Sequence, residues 1–201
     1  MKPYFKTNEA WGLVKNDLLR AYGGYIPMEL TNADRIFEEN GLCWTKHAKR
    51  AVELFESGYN CAQSVFGAFS DDVKIPFETA MALSSGFGGG MGRLREVCGA
   101  VTGGMMVLGL LFGPPDVPSD EVKAAGYLQV QRFAKAFETA FGSYLCRDLL
   151  GLELKNDSPI PEKRTPEYYI KRPCSLYVAF GAALLDRVIA EEKPIDRQEV
   201  E

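Results

Sequence analysis

The sequence predicts an all-α fold, a single compact helical domain with an N-terminal helical extension. Three observations carry this expectation. Apolar residues recur at helical rather than alternating spacing. Glycine and proline interrupt these runs again and again, and Ser, Thr, Asn or Asp stands where most of them begin. The chain has 201 residues, enough for one real core and a short appendage but not for two full domains. Residues 1–44 are assigned to the extension and 45–201 to the main helical domain.

The elements follow in order. A first helix is expected over residues 8–21, stopped by Gly23-Gly24, and a short one from Thr31, with Asp34 in its first turn, to Asn40-Gly41. TKHAKRAVELFESG opens a third at Thr45, where Ala48, Val52 and Phe55 form an apolar stripe before Gly58. Its histidine, His47, is expected on the surface. Asn60 is placed to cap CAQSVFGAF, which closes at Ser70, and Pro76 to open PFETAMALSSGF as a first-turn proline. The helix carrying Cys98 ends at Gly113-Pro114-Pro115. Ser119, Asp120 and Glu121 open the longest candidate, which runs to Phe141-Gly142. Ser143 is read as the cap of a short CRDLLG helix, residues 151–172 as a loop, and Pro173 as the start of the last helix.

Composition narrows the function. With 46% hydrophobic residues, 25% charged residues and a net charge of −4, the chain is ordinary for a globular protein and is not expected to bind nucleic acid or an anionic membrane. The opening MKPYFKTNEAWGL lacks the basic and apolar regions of a signal peptide, which places the chain in the cytoplasm. Residues 97–115 hold no charge and approach the length of a membrane span, but their glycines and charged flanks point to a core helix. Aromatic residues in the extension, Trp11, Tyr22 and Tyr25, together with the apolar excess, suggest a homodimer.

Two glycine-rich stretches stand out. GFGGGMG, beginning at Gly86, invites comparison with phosphate-binding loops, but neither dinucleotide nor P-loop spacing is met. It is read instead as a connection lying close to Cys98. In CGAVTGG, each helical glycine costs about 1 kcal/mol relative to alanine, so Gly99, Gly103 and Gly104 need packing or site geometry to offset them.

Five cysteines in a reducing compartment are more consistent with burial, metal binding or redox work than with a disulfide framework. Cys61, Cys146 and Cys174 fall in first turns of expected helices, where the dipole favours thiolate. Arg147 and Arg172 adjoin two of them, and Arg93 and Arg95 precede Cys98, an environment expected to lower thiol pKa. There is no Cys-x-x-Cys pair, so no zinc-finger assignment is supported. From the residues alone, a shared site and four core-filling cysteines both stay open.

The stretches GYNCAQSVFGAF, GFGGGMGRLREVCGAVTGG, FGSYLCRDLLG and PCSLYVAFGAALL resemble the four-cysteine redox family labelled C_GCAxxG_C_C, over roughly residues 46–190. The label's Gly-Cys-Ala reads Cys98-Gly99-Ala100 here. The resemblance implies a shared site at Cys61, Cys98, Cys146 and Cys174, with Gly88, Gly89, Gly90, Gly99 and Gly103 as the residues that let a cofactor approach. A similar helical domain occurs in split-Soret cytochromes, where it accompanies an iron-sulfur centre of 2Fe-2S type. No Cys-x-x-Cys-His sequence is present, which excludes covalent c-type haem. Three functions follow as expectations: an electron-transfer protein holding an iron-sulfur cluster, a thiol-disulfide oxidoreductase or redox sensor, and a structural zinc or interaction module. The partner expected is an electron donor or acceptor. Cys43 lies outside the match and is expected to pack as an apolar residue away from the site.

Overall fold

The computed structural model describes residues 32–114, 119–153 and 157–192. The helix expected over residues 8–21, with Trp11, Tyr22 and Tyr25, lies outside the described residues. The described residues form α1 (Ala33–Glu39), α2 (Lys46–Glu56), α3 (Cys61–Ala68), α4 (Phe77–Ser84), α5 (Gly99–Phe112), α6 (Asp120–Phe141), α7 (Cys146–Leu149), α8 (Pro166–Lys171) and α9 (Cys174–Glu191). Among them there is no strand, only one antiparallel bridge between Val97 and Leu145. None of these helices is long and apolar enough to cross a membrane.

Caps explain why several helices begin where they do. Thr45 accepts a hydrogen bond from the Ala48 amide at 3.0 Å, which starts α2. Asn60 accepts from the amides of Ala62 and Gln63, both at 3.0 Å, while the Gln63 side chain accepts from the Asn60 amide. Such a reciprocal cap is worth about 1 kcal/mol and fixes the direction in which α3 leaves its first residue, Cys61. Pro76 and Pro173 stand one position outside α4 and α9 as N-caps.

The axis of the fold is α9, whose residues 174–185 are buried on every face except near its end. It packs against α2, α3, α5 and α6. Phe37 of α1 joins this core through Trp44 at 5.0 Å and Phe180 at 5.8 Å between ring centroids. The uncharged run at residues 97–115 supplies α5, a core helix as its composition suggested. Gly99 and Gly103 form the face on which α3 rests: a Cβ at Gly103 would lie 2.7 Å from the Ala62 carbonyl oxygen, and one at Gly99 would lie 2.8 Å from Cys61 Cβ.

Three expectations need correction. The segment read as a loop over residues 151–172 contains α8, opened by Thr165, which accepts from the Tyr168 amide. Ser143 does not cap α7 directly. It accepts from the Leu145 amide at 3.0 Å and donates to Asp148 at 2.8 Å, and the helix begins one residue beyond Leu145. His47 is not a surface residue but 6% exposed. Its ring stacks on Phe69 and bridges Asp186 of α9 at 2.6 Å and Asp72 at 3.0 Å. Two carboxylates from distant segments satisfy both ring nitrogens, which is what allows the imidazole between α2 and α9.

Candidate redox site

Each of the four cysteines sits at a helix N-terminus. Cys61, Cys146 and Cys174 are the first residues of α3, α7 and α9, and Cys98 is the N-cap of α5 rather than a residue deeper in its helix. All four line one cavity of about 260 Å³. The Val97–Leu145 bridge places two of them. The Cys98 amide donates to the Tyr144 carbonyl at 2.8 Å and the Cys146 amide to the Glu96 carbonyl at 2.7 Å. These two bonds join the entries to α5 and α7, which are far apart in sequence.

The glycine-rich turn closes another wall. Gly88, Gly89, Gly90 and Gly92 line the cavity, as does Gly99, so the turn does lie beside Cys98. Gly90 has φ +71°, and a Cβ there would meet Cys146 Cβ at 2.6 Å, so only glycine fits. Gly88 presses on the side chain of Asn60, the cap of α3. Gly103 does not line the cavity; its bare backbone admits α3 to α5. Met91, Arg93 and Arg95 also take left-handed backbone conformations, with φ of 62°, 69° and 61°. Each costs about 1 kcal/mol or more in a residue with a Cβ, and such strain collects at functional sites.

Four arginines line the same cavity: Arg93, Arg95, Arg164 and Arg172. Arg95 is only 2% exposed. Its Nη1 lies 3.7 Å from Cys146 Sγ, its Nη2 donates to Asp157, and its buried Nε has no partner. Arg93 donates to Asp157 at 2.7 Å and to the Ser158 carbonyl. Arg172 pairs with Glu162. Arg164 donates to the carbonyls of Phe55 and Tyr59 and lies over the rings of Phe55 and Tyr168, at 4.4 and 4.7 Å. Among the described residues no carboxylate pairs with Arg164. Residues 157–172 thus form a strap across the cavity, contributing Pro159, Pro161, Glu162, Arg164, Tyr168 and Arg172 to its lining. Sequence reasoning missed this strap. Its signal was the alternation of proline with arginine and tyrosine after Asp157.

The thiols do not all respond as the helix dipole suggests. The Cys61 thiol donates to Cys174, which pushes Cys61 well up and draws Cys174 down. The neighbouring Arg172, Arg164 and Arg95 also favour the Cys174 thiolate. Burial pushes the Cys98 thiol up despite the Ala100 and Val101 amides. Burial likewise raises Cys146, with the Arg95 hydrogen bond opposing it. The expected general lowering therefore holds for Cys174 alone. Ionisation of Cys61 is opposed by each of the other three, and Cys98 responds most to Cys146 among its thiol neighbours. No three of the described His, Cys, Asp or Glu residues are gathered closely enough to hold a single metal ion. Cys43 is exposed, not packed as an apolar residue, and is not among the cavity's lining residues.

The sequence profile of the family described as "Putative redox-active protein (C_GCAxxG_C_C)" matches residues 59–188, a span that holds all four cavity cysteines and leaves out Cys43. The chain belongs to this family. No curated protein and no solved structure matches it. The redox character of the family is thus attached to a helical fold whose four cysteines share one cavity.

Proposed function

We propose that the chain is an electron-transfer protein in which Cys61, Cys98, Cys146 and Cys174 hold an iron-sulfur cluster of 2Fe-2S type. The observation that carries this reading is charge. Four guanidinium groups line the cavity and two carboxylates, Asp157 and Glu162, pair with three of them, so two positive charges stay uncompensated while the thiols are neutral. Four thiolates on an oxidised cluster of two ferric irons and two sulfides form a dianion, which matches that excess; a pair of disulfides would leave it standing. The donor set fits as well. Four soft sulfurs with no hard ligand among them suit iron-sulfur chemistry. A lone tetrahedral zinc would need all four sulfurs about 2.3 Å from one point, whereas no three of the described His, Cys, Asp or Glu side chains are gathered around one.

When bound, the cluster would take up and release one electron at a time. The chain's own residues prepare for that. The arginines compensate its charge, the α3, α5, α7 and α9 N-termini stand at it, and the strap lines its outer side with Tyr168, Pro159 and Pro161. A second reading rests on the Cys61–Cys174 contact: a reversible disulfide formed by these two thiols alone. Metal analysis after anaerobic purification separates the two. The cluster reading expects brown protein with about two irons and two acid-labile sulfides per chain, all lost in Cys98→Ser. Colourless protein with no iron, in which Cys61 and Cys174 alone change between thiol and disulfide, would overturn it.

A further inference from the structure

Arg95 combines features that no other described residue shares. It is a buried guanidinium on a left-handed backbone, one Nη lies against a cavity sulfur, the other Nη is held by a carboxylate from the strap, and a third N–H is left without a partner inside the site. The strained turn over residues 89–95 leads to it, and its carbonyl accepts from the Arg147 amide at 3.1 Å, next to Cys146. We propose that Arg95 is the positioning residue of the redox centre: it fixes the Cys146 sulfur and, through Asp157, ties that sulfur to the strap, so that closure of the strap and the potential of the centre are set together.

Two features separate this role from simple charge compensation. A guanidinium can donate to the sulfur and to Asp157 at once because its N–H groups are rigidly forked, which a lysine ammonium on a flexible stem cannot reproduce from the same backbone. The Asp157 carboxylate also accepts from Arg93, whose Nε reaches the Ser158 carbonyl, so a single carboxylate joins the start of the strap to both arginines. Losing the Asp157 carboxylate frees the Arg95 fork and loosens the start of the strap together, while Arg164 still holds its middle to the Phe55 and Tyr59 carbonyls. The inference rests on the iron-sulfur reading for the potential, but the tie between Arg95, Asp157 and the strap does not depend on a bound metal.

The test uses Arg95→Gln, Arg95→Lys and Asp157→Asn in the full chain, with two readouts. In iron-loaded protein, Arg95→Gln should move the midpoint potential in the negative direction, because a donor to a ligand sulfur stabilises the reduced, more negative state, and Arg95→Lys should restore only part of the difference. Asp157→Asn gives the discriminating sign. Removal of a negative charge would by itself raise the potential; loss of the residue that aims Arg95 lowers it, and lowering is the expected result. In metal-free protein, alkylation of buried Cys98 by iodoacetamide, normalised to exposed Cys43, should rise about tenfold in Asp157→Asn, as expected for the loss of a charge-assisted hydrogen bond from the closed state. An upward shift of potential in Asp157→Asn, or unchanged Cys98 alkylation, overturns the proposal. If no iron loads while Cys98 alkylation rises, the strap tie stands and the cluster reading falls. Should Arg95→Gln fail to fold, Asp157→Asn, on a partly exposed side chain, still decides.

Discussion

Helix α5 carries two glycines whose replacement by alanine should affect stability differently. Gly103 lies in the contact with α3, where an added Cβ would sit 2.7 Å from the Ala62 carbonyl oxygen and 3.1 Å from Val65 Cβ. Neither is the free end of a flexible side chain, so α3 and α5 must separate by about 0.7 Å to reach ordinary contact, and overpacking of this kind costs about 1–3 kcal/mol. Alanine recovers about 1 kcal/mol of helix propensity, which leaves Gly103→Ala neutral to about 2 kcal/mol less stable. Gly109, six residues on, is exposed and has nothing within 4 Å of its would-be Cβ. Gly109→Ala therefore keeps the propensity gain alone and should stabilise by about 1 kcal/mol.

Thermal unfolding followed by far-UV circular dichroism measures the pair. At about 2–4 °C per kcal/mol for a domain of this size, Gly109→Ala should melt a few degrees above the parent and Gly103→Ala at or below it. Equal stabilisation by both would refute the reasoning, since the close approach of α3 to α5 would then carry no energetic weight. Gly99→Ala extends the argument to the site. Its Cβ would meet Cys61 Cβ at 2.8 Å and the Ala62 amide nitrogen at 2.9 Å, so it should lower iron content while every cysteine remains.

Two further outcomes follow from ion pairing. The Arg95 hydrogen bond holds the Asp157 carboxyl at about 2 against an ordinary 3.8, so its contribution is complete above the ordinary value and is lost as pH falls from about 4 to about 2; across that window the melting temperature of the parent should fall more steeply than that of Asp157→Asn, and parallel curves would count against the pairing. His47→Ala removes the imidazole that bridges Asp72 and Asp186, and Asp186 already has one buried oxygen without a partner. It should cost about 2–4 kcal/mol in urea unfolding, and a loss below about 1 kcal/mol would refute an energetic role for the bridge.

Local signals made much of this fold legible. Thr45, Asn60 and Ser119 act as caps where their sequence context placed them, and Gly142 closes α6 in a left-handed conformation. The helix-start positions of Cys61, Cys146 and Cys174 were legible, because a first turn is a local feature, whereas their meeting with Cys98 was implied only by the family resemblance. The long-range parts of the site were not legible. The first residue of the strap, Asp157, is held at the cavity by Arg93 and Arg95 across more than sixty residues, and no periodicity announces such a crossing. His47 failed for the same reason: the apolar stripe of α2 was correctly read, but the partner that makes a buried imidazole tolerable lies on α9, 139 residues away. Gly99 and Gly103 signalled a close approach without saying what approaches. Helix α3 does at both positions, and only Gly99 also borders the cavity.

The response of the thiols shows which effect dominates at the centre. A helix N-terminus favours an adjacent anion by about 0.3–1 kcal/mol when exposed and up to about 2 when partly buried, whereas burial of a thiolate without a counter-charge costs more than this. Cys98 and Cys146 accordingly resist ionisation, although each stands at a helix start and Cys146 lies against Arg95. Cys174 is drawn down because the Cys61 thiol donates to it, with three arginines contributing. The helix termini are thus insufficient to create thiolates by themselves; under the iron-sulfur proposal, they and the uncompensated arginines would stabilise thiolates once a metal replaces the protons. Loading of the site would then release protons and tighten as pH rises. Under the iron-sulfur proposal, the positive excess of the cavity is the complement of the charge that the metal-bound centre would carry, held by the strap and by the strained turn that delivers Arg95.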